Sequence, residues 1–349
     1  MSLVFLLCIS SHAQEIGPKI LQSKHYHPEL TTAHTISVQA SATVQHQAVN
    51  ADSLLHIIRS RMEKVGYEVA TQSAQNHNVT IKVRCEEPTL STNSNEPHQP
   101  MLAPPVVPPC TLQYFFQEVP QEWQRIDRII YNAGVSAAQR AAITFSGSHN
   151  ALPFSSQFLK EFEFPLLLSA EWNQIGRLFT ILKAEGTLLS RKQYILQLFG
   201  ETQAQEAFPF LIHALDDPEL QVSAAQALGH FGKKAQPHLI PVLKTHRSIQ
   251  MQAAAAKSLG QIGAATGDTS LTPLYLEIIH SPGRDTTVII ECVWALGKSP
   301  DFQAHPTLEK LERQIWNTRS HDPMLQQLRE AVDWSIREVR QGGHTGDYD

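Results

Sequence analysis

Alternate residues Ile36, Val38, Ala40, Ala42 and Val44 are apolar, while Ser37, Gln39, Ser41 and Thr43 between them are polar. A period of two over that length predicts a half-buried strand across Thr35–Val44. Residues 50–53 then supply capping side chains. Leu54, Leu55, Ile57, Ile58, Met62 and Val65 fall on one broad helical face, and Gly66 stands where a helix closes. A short strand is expected at 67–70 and two longer ones at 78–85 and 110–119. Val79, Ile81, Val83 and Cys85 share a face of the first long strand. Cys110, Leu112, Tyr114 and Phe116 share a face of the second. A helix follows over 121–142, carrying Trp123, Ile126, Ile130, Ala133 and Ala137 on one side, with Gly134 as the point where it would break. The order predicts a small α+β domain over 34–145.

The loop 86–109 interrupts the two long strands with seven prolines and a polar run at 91–95. Such composition without periodicity argues an excursion from the domain rather than another element. Each cysteine ends its strand at the loop, so a hairpin pairing would bring the sulfurs of Cys85 and Cys110 together. They then form a disulfide, the alternative being two free core thiols. Residues 146–156 read as a linker, and Phe154, Phe158, Phe162 and Phe164 follow at close spacing.

Beyond the linker the pattern repeats. Pro209, Pro241, Pro273 and Pro306 are separated by 32, 32 and 33 residues and are expected to open helices. Gly200, Gly229, Gly260 and Gly297 are expected to close the partner helices, each preceded by a large apolar residue (Phe199, Leu228, Leu259, Leu296). Leu196, Ala225, Ala256 and Val293 lie four before those glycines, pointing inward. Ser335 takes the fifth closing position, with Ala331 and Trp334 in the matching roles. Copies then run near 173–203, 204–235, 236–268, 269–301 and 302–341.

The phrases LDDPELQVSAAQALGHFG and IQMQAAAAKSLGQIG resemble HEAT repeats, particularly the type named after phycobilisome lyases. The resemblance covers about half of the chain. It implies an all-α solenoid over 157–341 with a protein-binding concave surface, and it names no partner. The fourth copy departs from the pattern, having His280-Ser281-Pro282-Gly283 in place of an acidic turn, and the fifth lacks the glycine. Iron-binding hydroxylases among HEAT-like proteins use His-Glu dipeptides, and this chain contains none.

Composition adds limits. Across 349 residues the chain is 42% hydrophobic with a net charge of −5, so it lacks the basic excess that tracks nucleic acid. The apolar run Leu3–Ile9, followed by Ser11-His12-Ala13, resembles an export signal over 1–13, the alternative being a buried N-terminal strand, and is too short to span a membrane. No basic residue precedes it. Cys8 within it offers lipid anchoring as an alternative, although Leu7 departs from the small residue that precedes a lipidated cysteine. An exposed lead-in (14–33) and a flexible tail (342–349) complete the plan.

No nucleophile motif, phosphate loop or metal-ligand spacing appears, and no cofactor is expected. His213, His246 and His280 stand four, five and seven residues past their prolines, which is no common register for a metal ladder. Cys292 reads as a packed thiol. The expectation is a non-enzymatic, exported scaffold that binds a protein partner through the repeats. A lyase-like or chaperone-like accessory factor is the alternative. Candidate partner-binding residues are Phe154, Phe158 and Trp172 as docking anchors, with Gln221, Gln226, Gln250, Gln252 and Lys257 on an amide-rich face.

Overall fold

The computed structural model describes residues 27–70, 78–88, 107–144, 152–316 and 322–342. The expected export signal, most of the Pro-rich loop, the first half of the linker and nearly all of the tail lie outside them. One compact unit spans His25–Ala227, and another includes 228–349.

In the first unit, strand β1 (Thr35–Val44) turns through Gln45 and His46, both at positive φ, into β2 (Gln47–Val49). Helix α1 (Asp52–Lys64) follows. Its entry is held by Asn50, whose Oδ1 accepts the Asp52 N–H at 2.7 Å, and Gly66 ends it at φ +87°. Strand β3 (Glu68–Val69) and strand β4 (Val79–Glu87) both run parallel to β1. Parallel neighbours need a crossover, which α1 supplies. Strand β5 (Cys110–Phe116) returns antiparallel to β4, and β6 (Val119–Pro120) pairs with its end. The sheet order is β2-β1-β4-β5-β6, with β3 beside β1.

Ile36, Val38, Ile81, Val83 and Tyr114 are buried, while Gln39, Arg84, Thr111 and Gln113 on the alternate positions are exposed. Cys85 and Cys110 face each other in the β4–β5 register and are joined by a disulfide, as their strand positions led one to expect. Helix α2 (Asp127–Thr144) starts six residues later than the periodicity predicted and runs unbroken through Gly134. That glycine is a packing position: a Cβ there would lie 3.2 Å from Pro108 Cγ.

Helix α3 (Pro153–Glu161) begins inside the stretch read as a linker, packs on β4 and β5, and touches α1 and α2. Helix α4 (Phe164–Glu171) is buried at every position, an all-apolar run except for Ser169 and Glu171. Helices α5 (Ile175–Lys183), α6 (Leu189–Glu201), α7 (Phe208–His213) and α8 (Gln221–Leu228) follow. The compact unit therefore continues well past residue 156.

The second unit contains three helix pairs. They are α9 (Gln236–Thr245) with α10 (Ile249–Thr266), α11 (Thr272–His280) with α12 (Thr286–Lys298), and α13 (His305–Trp316) with α14 (Pro323–Gly342). Helices α10, α12 and α14 pack side by side in a row. Ser248 caps α10 through the Met251 N–H. Asp285 caps α12 through the Thr287 N–H at 2.8 Å, so the fourth copy has an acidic cap after its His280–Gly283 turn.

Two expectations about the repeats are corrected. Pro241 lies inside α9, while Pro237 holds the first-turn position, so the proline spacing does not mark helix starts uniformly. Gly200, Gly260 and Gly297 lie within helices and Gly229 follows α8, and none of the four has positive φ. They do not close helices by a left-handed turn. They make room for a neighbour: a Cβ on Gly200 would sit 2.8 Å from Ala227 Cα, and one on Gly260 2.7 Å from Ala295 Cβ. At Gly297 it would run into the Trp334 ring. The left-handed cap of α10 is Gly267, at φ +64°.

Gly260→Ala is expected to destabilise the protein by about 1–3 kcal/mol through overpacking. Gly176→Ala, at an exposed α5 position where a Cβ meets nothing within 4 Å, should instead stabilise it by up to about 1 kcal/mol. Urea unfolding of both variants measures the contrast. Replacing Cys85 and Cys110 together by serine should cost about 3 kcal/mol, the closure entropy of a loop of that length, in the same assay under non-reducing conditions.

Candidate binding surfaces

The first unit is held by polar side chains that reach from one element to the backbone ends of another. Glu87, the last residue of β4, is buried and accepts the Phe154 N–H at 2.7 Å and the Ser155 N–H at 2.9 Å, capping α3. At the other end of α3, Arg61 from α1 donates to the carbonyls of Leu159, Lys160 and Phe162 and pairs with Glu163 at 2.9 Å. A carboxylate at the N-terminus and a guanidinium at the C-terminus satisfy the groups a helix leaves unpaired and complement its dipole.

Glu171, the last residue of α4, does the same for the backbone that precedes α2. Its carboxylate accepts the Gln124, Arg125 and Ile126 N–H groups at 2.8, 2.9 and 3.2 Å, and the Tyr114 hydroxyl at 3.1 Å. Burial pushes its pKa above the ordinary carboxyl value, and these four donors pull the other way. The three engaged amides lie just before α2, which is why that helix starts late. Gln174 uses all of its amide: Nε2 donates to Leu30 O and Ala33 O, while Oε1 accepts from Tyr67 Oη and Arg177 Nε. Residues 27–33, expected as exposed lead-in, are thus tied down, and Leu30 is buried. Arg177 also lies 3.8 Å from the Tyr67 ring centre, and burial pushes that phenol up to about 12.

Among these clamps lies a cleft of about 990 Å³. One wall is α2, with Ile129, Asn132, Ser136 and Arg140. The opposite wall is α6 and the turn before it, from Glu185 to Glu201. Glu163 is fixed by Arg61 and by Arg191 at 3.2 Å, and Arg140 pairs with Glu161 at 3.5 Å. Tyr194 presents its phenol here, its pKa raised first by burial and then by Glu163 and Glu201.

A different surface runs along α10, α12 and α14 in the second unit. Trp294 and Trp334 are both half-buried, with ring centres 5.0 Å apart. Glu291, one turn before Trp294, is half-buried, which pushes its carboxyl up, while the Lys257 and Lys298 charges draw it down. Among the described residues Glu291 makes no ion pair or hydrogen bond. Both lysines are exposed.

The residues singled out from sequence divide between these settings. Phe154, Phe158 and Trp172 are core side chains, 7%, 1% and 0% exposed, so they are not available as surface anchors. Trp172 packs edge-on against Tyr67 and Tyr114. Their aromatic spacing signalled burial, which a linker reading could not reveal. Gln252 is engaged within the unit, donating to His246 O and accepting from Arg284 Nη1 at 2.9 Å. Gln226, Gln250 and Lys257 are exposed and Gln221 is half-buried. His246 Nδ1 accepts the Ser248 N–H, and His280 Nδ1 lies 2.8 Å from Leu276 O, each within its own segment. Cys292 is buried, its thiol pushed up to about 12 by desolvation. The Trp294–Trp334 pair and Glu291 were missed. Only the recurrence of Trp334 at a residue-before-glycine position hinted at them.

The chain matches no protein-family model and no curated protein sequence.

Glu171→Gln is expected to lower stability by about 2 kcal/mol, because an amide must turn an NH2 group toward donors that now meet a carboxylate oxygen. Thermal and urea unfolding read this directly. An unchanged midpoint would remove Glu171 from its position as the link between α4 and the start of α2.

Proposed function

We propose that the protein is an exported, non-catalytic scaffold that holds a protein partner on the row formed by α10, α12 and α14. The helix pairs are read as HEAT-like repeats, whose stacking offers a continuous binding face. The Trp294–Trp334 pair is the observation that carries this reading. Tryptophans that keep part of their ring accessible, framed by charged side chains, are residues in which interface energy concentrates. Lys257, Glu291 and Lys298 around them would set the orientation of the partner, since none is committed to an ion pair among the described residues.

Export is supported by the Cys85–Cys110 disulfide, which persists in oxidising compartments. No helix among the described residues is long and apolar enough to cross a membrane. A partner in the bacterial cell envelope fits both observations.

The test immobilises the full chain and exposes it to envelope proteins. Wild type should retain a partner that Trp294→Ala and the double change Lys257→Glu/Lys298→Glu each release, with at least about tenfold weaker binding. Equal retention by all three chains, at unchanged unfolding midpoints, would overturn the proposal.

A further inference from the structure

The α2–α6 cleft lies in the first unit, apart from the α10–α12–α14 face. We propose that the cleft between α2 and α6 binds a polypeptide segment carrying apolar side chains flanked by charges of both signs.

The volume, about 990 Å³, is at the upper end for ligand sites. Its floor is already ordered, because Glu163 is held between Arg61 and Arg191 and Arg140 is held by Glu161. A ligand therefore meets a preformed surface and does not have to order it.

The uncommitted groups define the ligand class. Lys160 and Glu185 are exposed, line the cleft and form no ion pair among the described residues, so the site offers one free charge of each sign. Asn132 and Gln197 present amides that both donate and accept, as a peptide backbone requires. Leu188 lines the cleft and is 72% exposed. On the facing helix Ile129 lines the cleft and is half-buried. Apolar side chains on two opposed walls, one of them largely exposed, are anchors for apolar side chains of a ligand.

Other ligand classes fit less well. Four carboxylates (Glu161, Glu163, Glu185, Glu201) against three cations disfavour a polyanion such as nucleic acid. Charges spread along both walls disfavour a small apolar metabolite. An extended peptide satisfies every feature together, with apolar side chains against Leu188 and Ile129 and its own charges meeting Lys160 and Glu185.

Panning random dodecapeptides displayed on phage against the immobilised full chain tests this, followed by anisotropy titration of the enriched peptides. We expect enrichment of sequences mixing apolar and charged residues. Leu188→Ser and the reversal Lys160→Glu/Glu185→Lys, all at exposed positions, should each weaken binding at least tenfold, while Trp294→Ala leaves it unchanged. The proposal is overturned if no sequence enriches, or if the enriched peptides bind both cleft variants as they bind wild type. Binding lost with Trp294→Ala but kept in the cleft variants would also overturn it, while supporting the scaffold reading of the second unit.

Discussion

Backbone ends in the first unit are satisfied by side chains that come from far along the chain. A helix leaves several N–H and C=O groups unpaired at its ends, and burying them without partners costs more than most single contacts contribute. Here Glu87 from β4 takes the first amides of α3, Arg61 from α1 takes its last carbonyls, and Glu171 from α4 takes the amides that precede α2. Each contact joins an element of the sheet region to a helix that follows it. Truncation between 144 and 153 would leave these ionised groups without partners, so the sheet and the early helices stand or fall as one unit.

The same constraint organises the α2–α6 cleft. Because Arg61, Glu163 and Arg191 are spent on one another and on backbone ends, the floor of the α2–α6 cleft is fixed before any ligand arrives. What remains free around it is peripheral: Lys160, Glu185 and the exposed Leu188. Internal ion pairs thus separate the groups that hold the fold from those available for binding.

In the second unit, close packing replaces polar clamping. Gly260 lies in the interior of α10 and Gly297 in the last turn of α12, where alanine would be the better helix former, and the reason is the neighbouring helix. Their missing Cβ atoms admit Ala295 and the Trp334 indole. The glycine at position 297 therefore places Trp334 beside Trp294, and the recurring glycine seen as punctuation is what builds the aromatic pair.

The sequence by itself determined the local elements wherever period and side-chain chemistry agree. Strand β1 lies where alternation from Thr35 to Val44 put it, α1 ends at Gly66, and the strand positions of Cys85 and Cys110 foretold their bridge. Helices also recur in pairs across the five segments of the chain's second half. Tertiary structure alone decided the rest, because each undecided point depends on a partner distant in sequence. The start of α2 was set by Glu171, the roles of the repeat glycines by the helix alongside, and the burial of Phe154, Phe158 and Trp172 by the sheet and helices around them. Periodicity reports which face of an element is apolar. It does not report what covers that face, and coverage separates a core aromatic from a binding anchor.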